Sequence, residues 1–182
     1  MNVLLIATWA VLLRAATIGA GLIFVTAGLQ KWRHRDILPG IVANYRLLPD
    51  RTVSLVAGLL PIVECIIGVA LLLGIGALPG LAGGGLLLVF AAAMAINLMR
   101  GRNDIHCGCG RTDLRHGLRW SAVARNLVLA SLLFASMGAP AIGNVMGLAS
   151  AIFTGIALWT AYVLMETIGM LETSAALLRR RH

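Results

Sequence analysis

Charge is scarce in this chain. Asp, Glu, Lys and Arg make up 12% of its 182 residues, about half the share of a soluble domain. Hydrophobic residues account for 59%, and the mean hydropathy is +0.91. This composition excludes an ordinary soluble globular domain. Cysteine is also sparse: the three present, Cys65, Cys107 and Cys109, are too few for a disulfide scaffold. There is no Cys-x-x-Cys, so the chain is not a thioredoxin-like module. No Walker-type phosphate loop, dinucleotide fingerprint or zincin motif occurs, and no paired histidines inside the apolar runs suggest haem. The stretch before Leu13 has no basic residue, and Arg14 follows the apolar run instead of preceding it. No cleaved leader is therefore expected.

What is present is long apolar runs of about 20 residues, the length that crosses about 30 Å of hydrocarbon as helix. Five are read, at about 3–30, 53–74, 81–99, 119–137 and 144–170. They are too long and too continuous for β-barrel strands, and period-2 alternation is absent. Little chain is left between them, so one integral membrane domain over 1–182 is expected. The fold class is all-α, a polytopic helical bundle in a lipid bilayer. Gly19, Gly21 and Gly28 in the first run, and Gly83, Gly84 and Gly85 in the third, are positions where a neighbouring backbone can come close.

The formal charge of +8 comes without an aromatic-interleaved basic patch or a nucleic-acid module, so nucleic acid is not an expected partner. Its distribution is more informative. Lys31, Arg33, Arg35, Arg46 and Arg51 lie between the first two runs. Arg100, Arg102, Arg111, Arg115 and Arg119 lie between the third and fourth, and Arg179, Arg180 and Arg181 end the chain. The connections 75–80 and 138–143 hold none. With five spans all thirteen fall on one side. That side is expected to be the cytoplasmic face of the inner membrane, with the N-terminus outside. Between Pro39 and Pro49, Ile41, Val42, Tyr45 and Leu48 recur at helical spacing, which predicts a short interfacial helix or a surface for a partner.

Candidate chemistry concentrates in the second basic loop. In Cys107-Gly108-Cys109-Gly110, two thiols stand one residue apart, with His106 adjacent and Arg102 and Arg111 flanking. A thiolate is the attacking species in exchange, and positive neighbours favour it. A disulfide across one residue closes a small, strained ring, which suits exchange better than stabilisation. His106, Cys107, Cys109 and His116 could alternatively ligate a soft metal, although one-residue spacing is poor for zinc. No metal or other cofactor is assigned.

Arg14, Glu64, Arg125 and Glu166 are ionisable residues inside the apolar runs, where charges are costly and default to a paired or functional reading. Arg125 is placed to pair with Glu166 or to reach Glu64. The alternative is a role near the thiols, with Arg125 favouring thiolate and Glu64 handling protons. Asn97 and Asn126 are expected near the same membrane edge. Cys65 reads either as a small packing residue or as a resolving or relay thiol. Arg14 is expected to snorkel to the opposite face.

Ala95-Ile96-Asn97-Leu98, Arg100-Gly101-Arg102, His106-Cys107-Gly108-Cys109-Gly110 and Arg125-Asn126 resemble the methylamine utilisation protein MauE family. Tyr45-Arg46-Leu47-Leu48-Pro49 and Glu64 look like that family as well, and there is a looser relation to DoxX-type redox-associated proteins. The resemblance covers most of the chain. It implies an accessory membrane protein for processing, transport or maturation of the small (beta) subunit of methylamine dehydrogenase, a periplasmic, disulfide-rich protein. It also implies a thioredoxin-like partner, MauD. Carried over, Cys107 and Cys109 are the redox pair, Arg125 and Asn126 sit nearby, and Glu64 is the membrane carboxylate. The alternatives are a non-catalytic scaffold that docks a partner through Tyr45–Pro49, and a soft-metal or small-molecule transporter. Whether the chain is itself an enzyme stays open. The charge bias puts the cysteines on the side away from the implied substrate's disulfides, so both expectations hold together only if electrons cross the membrane.

Overall fold

The computed structural model describes residues 2–102, 118–138 and 145–179. Its elements are α1 (Asn2–Arg33), α2 (Leu38–Asn44), α3 (Asp50–Leu73), α4 (Leu78–Met99), α5 (Trp120–Ser136) and α6 (Val145–Arg179). There is no strand among the described residues, and the protein is a polytopic helical membrane protein. Four helices, α1, α3, α4 and α6, are long and apolar enough to cross a bilayer. α5, at 17 residues, lies at the short end of the spanning range.

α1 is the central element, packing against α3, α5 and α6, while α4 pairs with α5 and α3. Lipid offers no hydrophobic drive for helices to associate, so close contact depends on small residues. α1 carries these on two faces. Gly21 lies against the Gly68 carbonyl, and Gly28 against the Pro61 carbonyl and Cys65, both in α3. Gly19 lies against the Gly155 carbonyl in α6. A Cβ at Gly68 would stand 2.8 Å from the Gly21 carbonyl, and one at Gly155 2.9 Å from the Ala15 carbonyl. The contacts 14 with 74, 21 with 68 and 28 with 61 make α1 and α3 antiparallel. Gly83 and Gly84 face Leu133 and Phe134 of α5, whereas Gly85 has open space and plays no such part. Outward positions carry Trp9, Ile66, Val89 and Phe153, at 61–74% exposure, as a lipid-facing surface requires.

Both long hairpin ends use glycine in the left-handed region. At the end of α3, Gly74 has φ 72° and its amide donates to the Leu71 carbonyl, while the Ile75 amide donates to the Ala70 carbonyl. The Arg14 guanidinium stands over this end, with a long contact of 3.4 Å to the Leu72 carbonyl. A cation there offsets the negative end of the helix dipole, so Arg14 is engaged with a helix terminus and does not simply reach for water. At the end of α4, Gly101 has φ 71°. Its amide donates to Leu98, and the Arg102 amide donates to Asn97.

Helix order then puts the 34–49 connection, Arg102 and Leu118 at one end of the bundle, with the 74–77 turn at the other. The short helix expected between Pro39 and Pro49 is α2, but it starts at Leu38, includes Pro39 in its first turn and ends at Asn44, so Tyr45 and Leu48 lie beyond it. Leu38 is buried, Ile41 and Val42 are half-buried, and the helix packs on α3. The turn after it places Arg46 at φ 48°.

Candidate functional site

Lys31 and Glu64 form the most buried ionic contact of the described bundle. The Lys31 ammonium donates to both carboxylate oxygens, at 2.7 and 2.8 Å, with the two side chains 7% and 1% exposed. It also lies 5.6 Å from the centre of the Phe90 ring, within cation–π range. The pairing follows from how α1 meets α3. Gly21 and Gly28 are seven residues apart and bring α3 close, and Lys31, three residues on, continues that face toward Glu64.

This corrects two expectations. Lys31, counted with the loop residues, is a buried helix residue, because α1 continues to Arg33. The described partner of Glu64 is Lys31 and not Arg125. The guanidinium of Arg125 instead stands 4.9 Å from the centre of the Tyr162 ring on α6. Glu166 is four residues beyond Tyr162 in the same helix, and its side chain lies outside those described. Lys31 and Tyr162 are site residues that the sequence reading did not select. For Lys31 the signal was its three-residue step from Gly28 in an unbroken helical run. For Tyr162 it was the four-residue step to Glu166.

These groups share one cavity. Lys31, Glu64, Arg125, Asn126 and Tyr162 line it together with Phe24, Leu87, Phe90 and Leu129, and the space open to the centre of a water is about 30 Å³. Asn126 is 4% exposed, and its side-chain N–H has no acceptor among the described residues. Cys65 follows Glu64 in α3 but points to the notch at Gly28, where a Cβ would stand 2.6 Å from its Sγ. That is the arrangement of a packing thiol.

A second arrangement sits at the basic end. Asn97 is fully buried. Its Nδ2 donates to the Tyr45 carbonyl at 3.2 Å and the Ala93 carbonyl at 3.0 Å, and its Oδ1 accepts from Arg102 at 3.2 Å. One amide thus joins the end of α4, the turn after α2, and the first residues of the following connection. Leu118, just before α5, is 3% exposed in a cluster with Ala91, Met94 and Val123, against which Tyr45 also packs. Both flanks of the 103–117 segment are therefore held on the same cluster. Tyr45 turns inward to it, while Leu48 and Pro49 are exposed. His106, Cys107, Cys109 and His116 fall within 103–117 and lie outside the described residues. Among the described residues, no three His, Cys, Asp or Glu side chains converge as a metal site.

Comparison with known proteins adds the decisive observation. The family model for methylamine utilisation protein MauE matches residues 7–139. The chain belongs to the MauE family. Relatives named methylamine utilization protein MauE are similar along most of their length. The one from Paracoccus denitrificans is 46% identical over 129 residues, 70% of this chain and 69% of that protein. The one from Paracoccus versutus is 36% identical over 154 residues, 81% of each. The one from Methylorubrum extorquens is 38% identical over 114 residues, 62% of this chain and 61% of that protein. No solved structure matches. The matched region takes in α1 to α5 with the Cys-Gly-Cys segment, and α6 with Tyr162 lies beyond it. Membership of the MauE family ties the chain to methylamine utilisation.

Proposed function

We propose that the chain is an accessory membrane protein for processing, transport or maturation of the methylamine dehydrogenase small (beta) subunit. It acts by thiol–disulfide exchange through Cys107 and Cys109 with a thioredoxin-like partner, MauD. The observation that carries this reading is the Cys-Gly-Cys segment within the MauE match, in a connection whose two flanks are anchored on one buried cluster. A held frame of this kind suits a reactive pair, because exchange needs the attacking sulfur aligned with the bond it breaks.

In this reading the Cys107 thiolate attacks one sulfur of a partner disulfide. A mixed disulfide forms and the partner's other sulfur leaves as thiolate, which takes a proton. The Cys109 thiolate then attacks the Cys107 sulfur, releasing the partner as a dithiol and leaving Cys107 and Cys109 as a disulfide. The partner gains two electrons and this chain loses two; the reverse sequence reduces this chain. His106 and the flanking arginines favour the thiolate. Glu64 and Arg125 support the reading as parts of the buried polar frame, with Cys65 packing beside it. The membrane side follows from charge. With Lys31 paired inside the bundle, twelve basic loop and tail residues of the sequence remain, and a five-span reading assigns all of them to the side of Cys107 and Cys109. The proposed orientation is N-terminus outside and C-terminus cytoplasmic in the inner membrane.

The test is replacement of Cys107 and Cys109 by serine, singly and together, with the disulfide content and level of the dehydrogenase small subunit as readouts. Loss of both in the double variant is expected. Full maturation in that variant would leave the chain as a scaffold.

A further inference from the structure

A cavity of about 520 Å³ lies at the end of the bundle that carries the 74–77 turn. Its walls come from α1, α3, α4, α5 and α6 and are mostly apolar, with Leu13, Leu71, Met137 and Leu148 among them. Arg14 is the only charged side chain among the described residues that line it. The Thr17 and Ser136 hydroxyls donate to the Arg14 and Leu133 carbonyls, so the side-chain donors left to this space are those of the guanidinium. That group has five N–H bonds and makes one long contact among the described residues, 3.4 Å to the Leu72 carbonyl. A helix C-terminus supplies about half a negative charge, so the cation is only partly offset. No carboxylate completes the balance. No acidic residue occurs in 1–35, 65–103 or 114–165, the stretches that hold every described lining residue. Glu64 is held by Lys31. Glu166 lies 18 residues beyond Leu148 in α6, about 27 Å along the helix.

We propose that this cavity binds the headgroup of an anionic phospholipid, with its phosphate on the Arg14 guanidinium. The planar fork of an arginine matches phosphate in a two-point contact, and the volume falls within the range of about 300–1,000 Å³ of ligand sites. The surroundings select a lipid over a free ion. Arg14 stands opposite Gly74, so α1 runs on past the end of α3, with Leu5, Ile6, Trp9 and Leu12 exposed. Leu73, Ile75 and Leu78 around the turn are exposed as well. An ion from water would shed its hydration among such side chains, whereas a phospholipid brings the anion together with apolar chains that this rim accepts. A net negative headgroup fits better than a zwitterionic one, which carries a second cation into a space with no acid to meet it. The proposal concerns binding alone and does not depend on the thiol reading.

The test uses the full chain, delipidated in detergent micelles, with bound lipid counted by native mass spectrometry as phosphatidylglycerol or phosphatidylcholine is added. Saturable binding near one phosphatidylglycerol per chain is expected, at least tenfold tighter than phosphatidylcholine. Arg14→Gln is expected to remove that preference. Leu148→Trp, which narrows the cavity and leaves Arg14 in place, is expected to weaken phosphatidylglycerol binding at least tenfold; it decides the matter if loss of the helix-end contact unfolds Arg14→Gln. Equal retention of the two lipids by wild type means unselective boundary lipid and overturns the proposal. So does a wild-type preference in a folded Arg14→Gln variant, or undiminished binding in Leu148→Trp. Displacement of the lipid by an equal concentration of inorganic phosphate would assign the site to a free anion and overturn it as well.

Discussion

Removing one member of the Lys31–Glu64 pair is predicted to damage the fold far more than removing both. At 2.7 Å and an effective dielectric of about 20, the attraction is about 6 kcal/mol. Burial of each ion costs several kcal/mol, so the pair is near balance as a unit. Lys31→Met leaves a carboxylate that is 1% exposed without its cation, at a cost of about 3–5 kcal/mol. Glu64→Leu leaves the ammonium against Phe90 alone and is expected to cost a similar amount. The double variant Lys31→Met/Glu64→Leu replaces the pair by apolar groups of similar volume. Its stability is expected within about 1 kcal/mol of wild type, or above it. Reversible unfolding of all four proteins in mixed detergent micelles gives the coupling energy directly. Additive singles, or a Lys31→Met variant as stable as wild type, would refute the claim that this contact is a closed buried pair.

Four further outcomes are expected, three of them from the same geometry. Gly28→Ala puts a methyl 2.6 Å from the Cys65 sulfur and 2.9 Å from the Pro61 carbonyl; it should cost about 1–3 kcal/mol in the same unfolding assay, with Cys65→Ala restoring only part. Gly85→Ala, facing open space, should be neutral or stabilising by up to about 1 kcal/mol. Asn97→Leu breaks three side-chain hydrogen bonds and should speed proteolytic cleavage between residues 103 and 117 without moving cleavage elsewhere; an unchanged digestion pattern would show that the amide does not hold that connection. Finally, an impermeant maleimide should label Cys107 in inside-out vesicles and not in right-side-out ones, and labelling only in the latter would reverse the proposed orientation.

The sequence by itself determined the class of the protein. Runs of apolar residues as long as a bilayer is thick leave few alternatives, since backbone groups in lipid must be satisfied within helices or closed barrels. It marked Gly21 and Gly28 as close-approach positions, and it set Glu64 and Arg125 apart as ionisable residues within apolar runs. It signalled a short helix near Pro39, though not its end at Asn44, which leaves Tyr45 and Leu48 outside. The Cys-Gly-Cys segment followed by Arg125-Asn126 in the next helix pointed to the MauE family, with the Tyr45–Pro49 stretch as a weaker sign. Partner choice among the buried charges was not legible, because spacing along one helix does not say which neighbour its face meets. Glu64 had Arg125 as a candidate at a plausible depth, and only the antiparallel register of α1 on α3, fixed by Gly21 and Gly28, brought Lys31 to it. The same register turned Cys65 into the notch of Gly28. The gathering of Asn126, Arg125 and Tyr162 around one cavity, and of Asn97, Tyr45 and Arg102 around one amide, joins residues up to 57 positions apart. Such contacts are set by how helices cross, which is a property of the packed bundle and not of any single run.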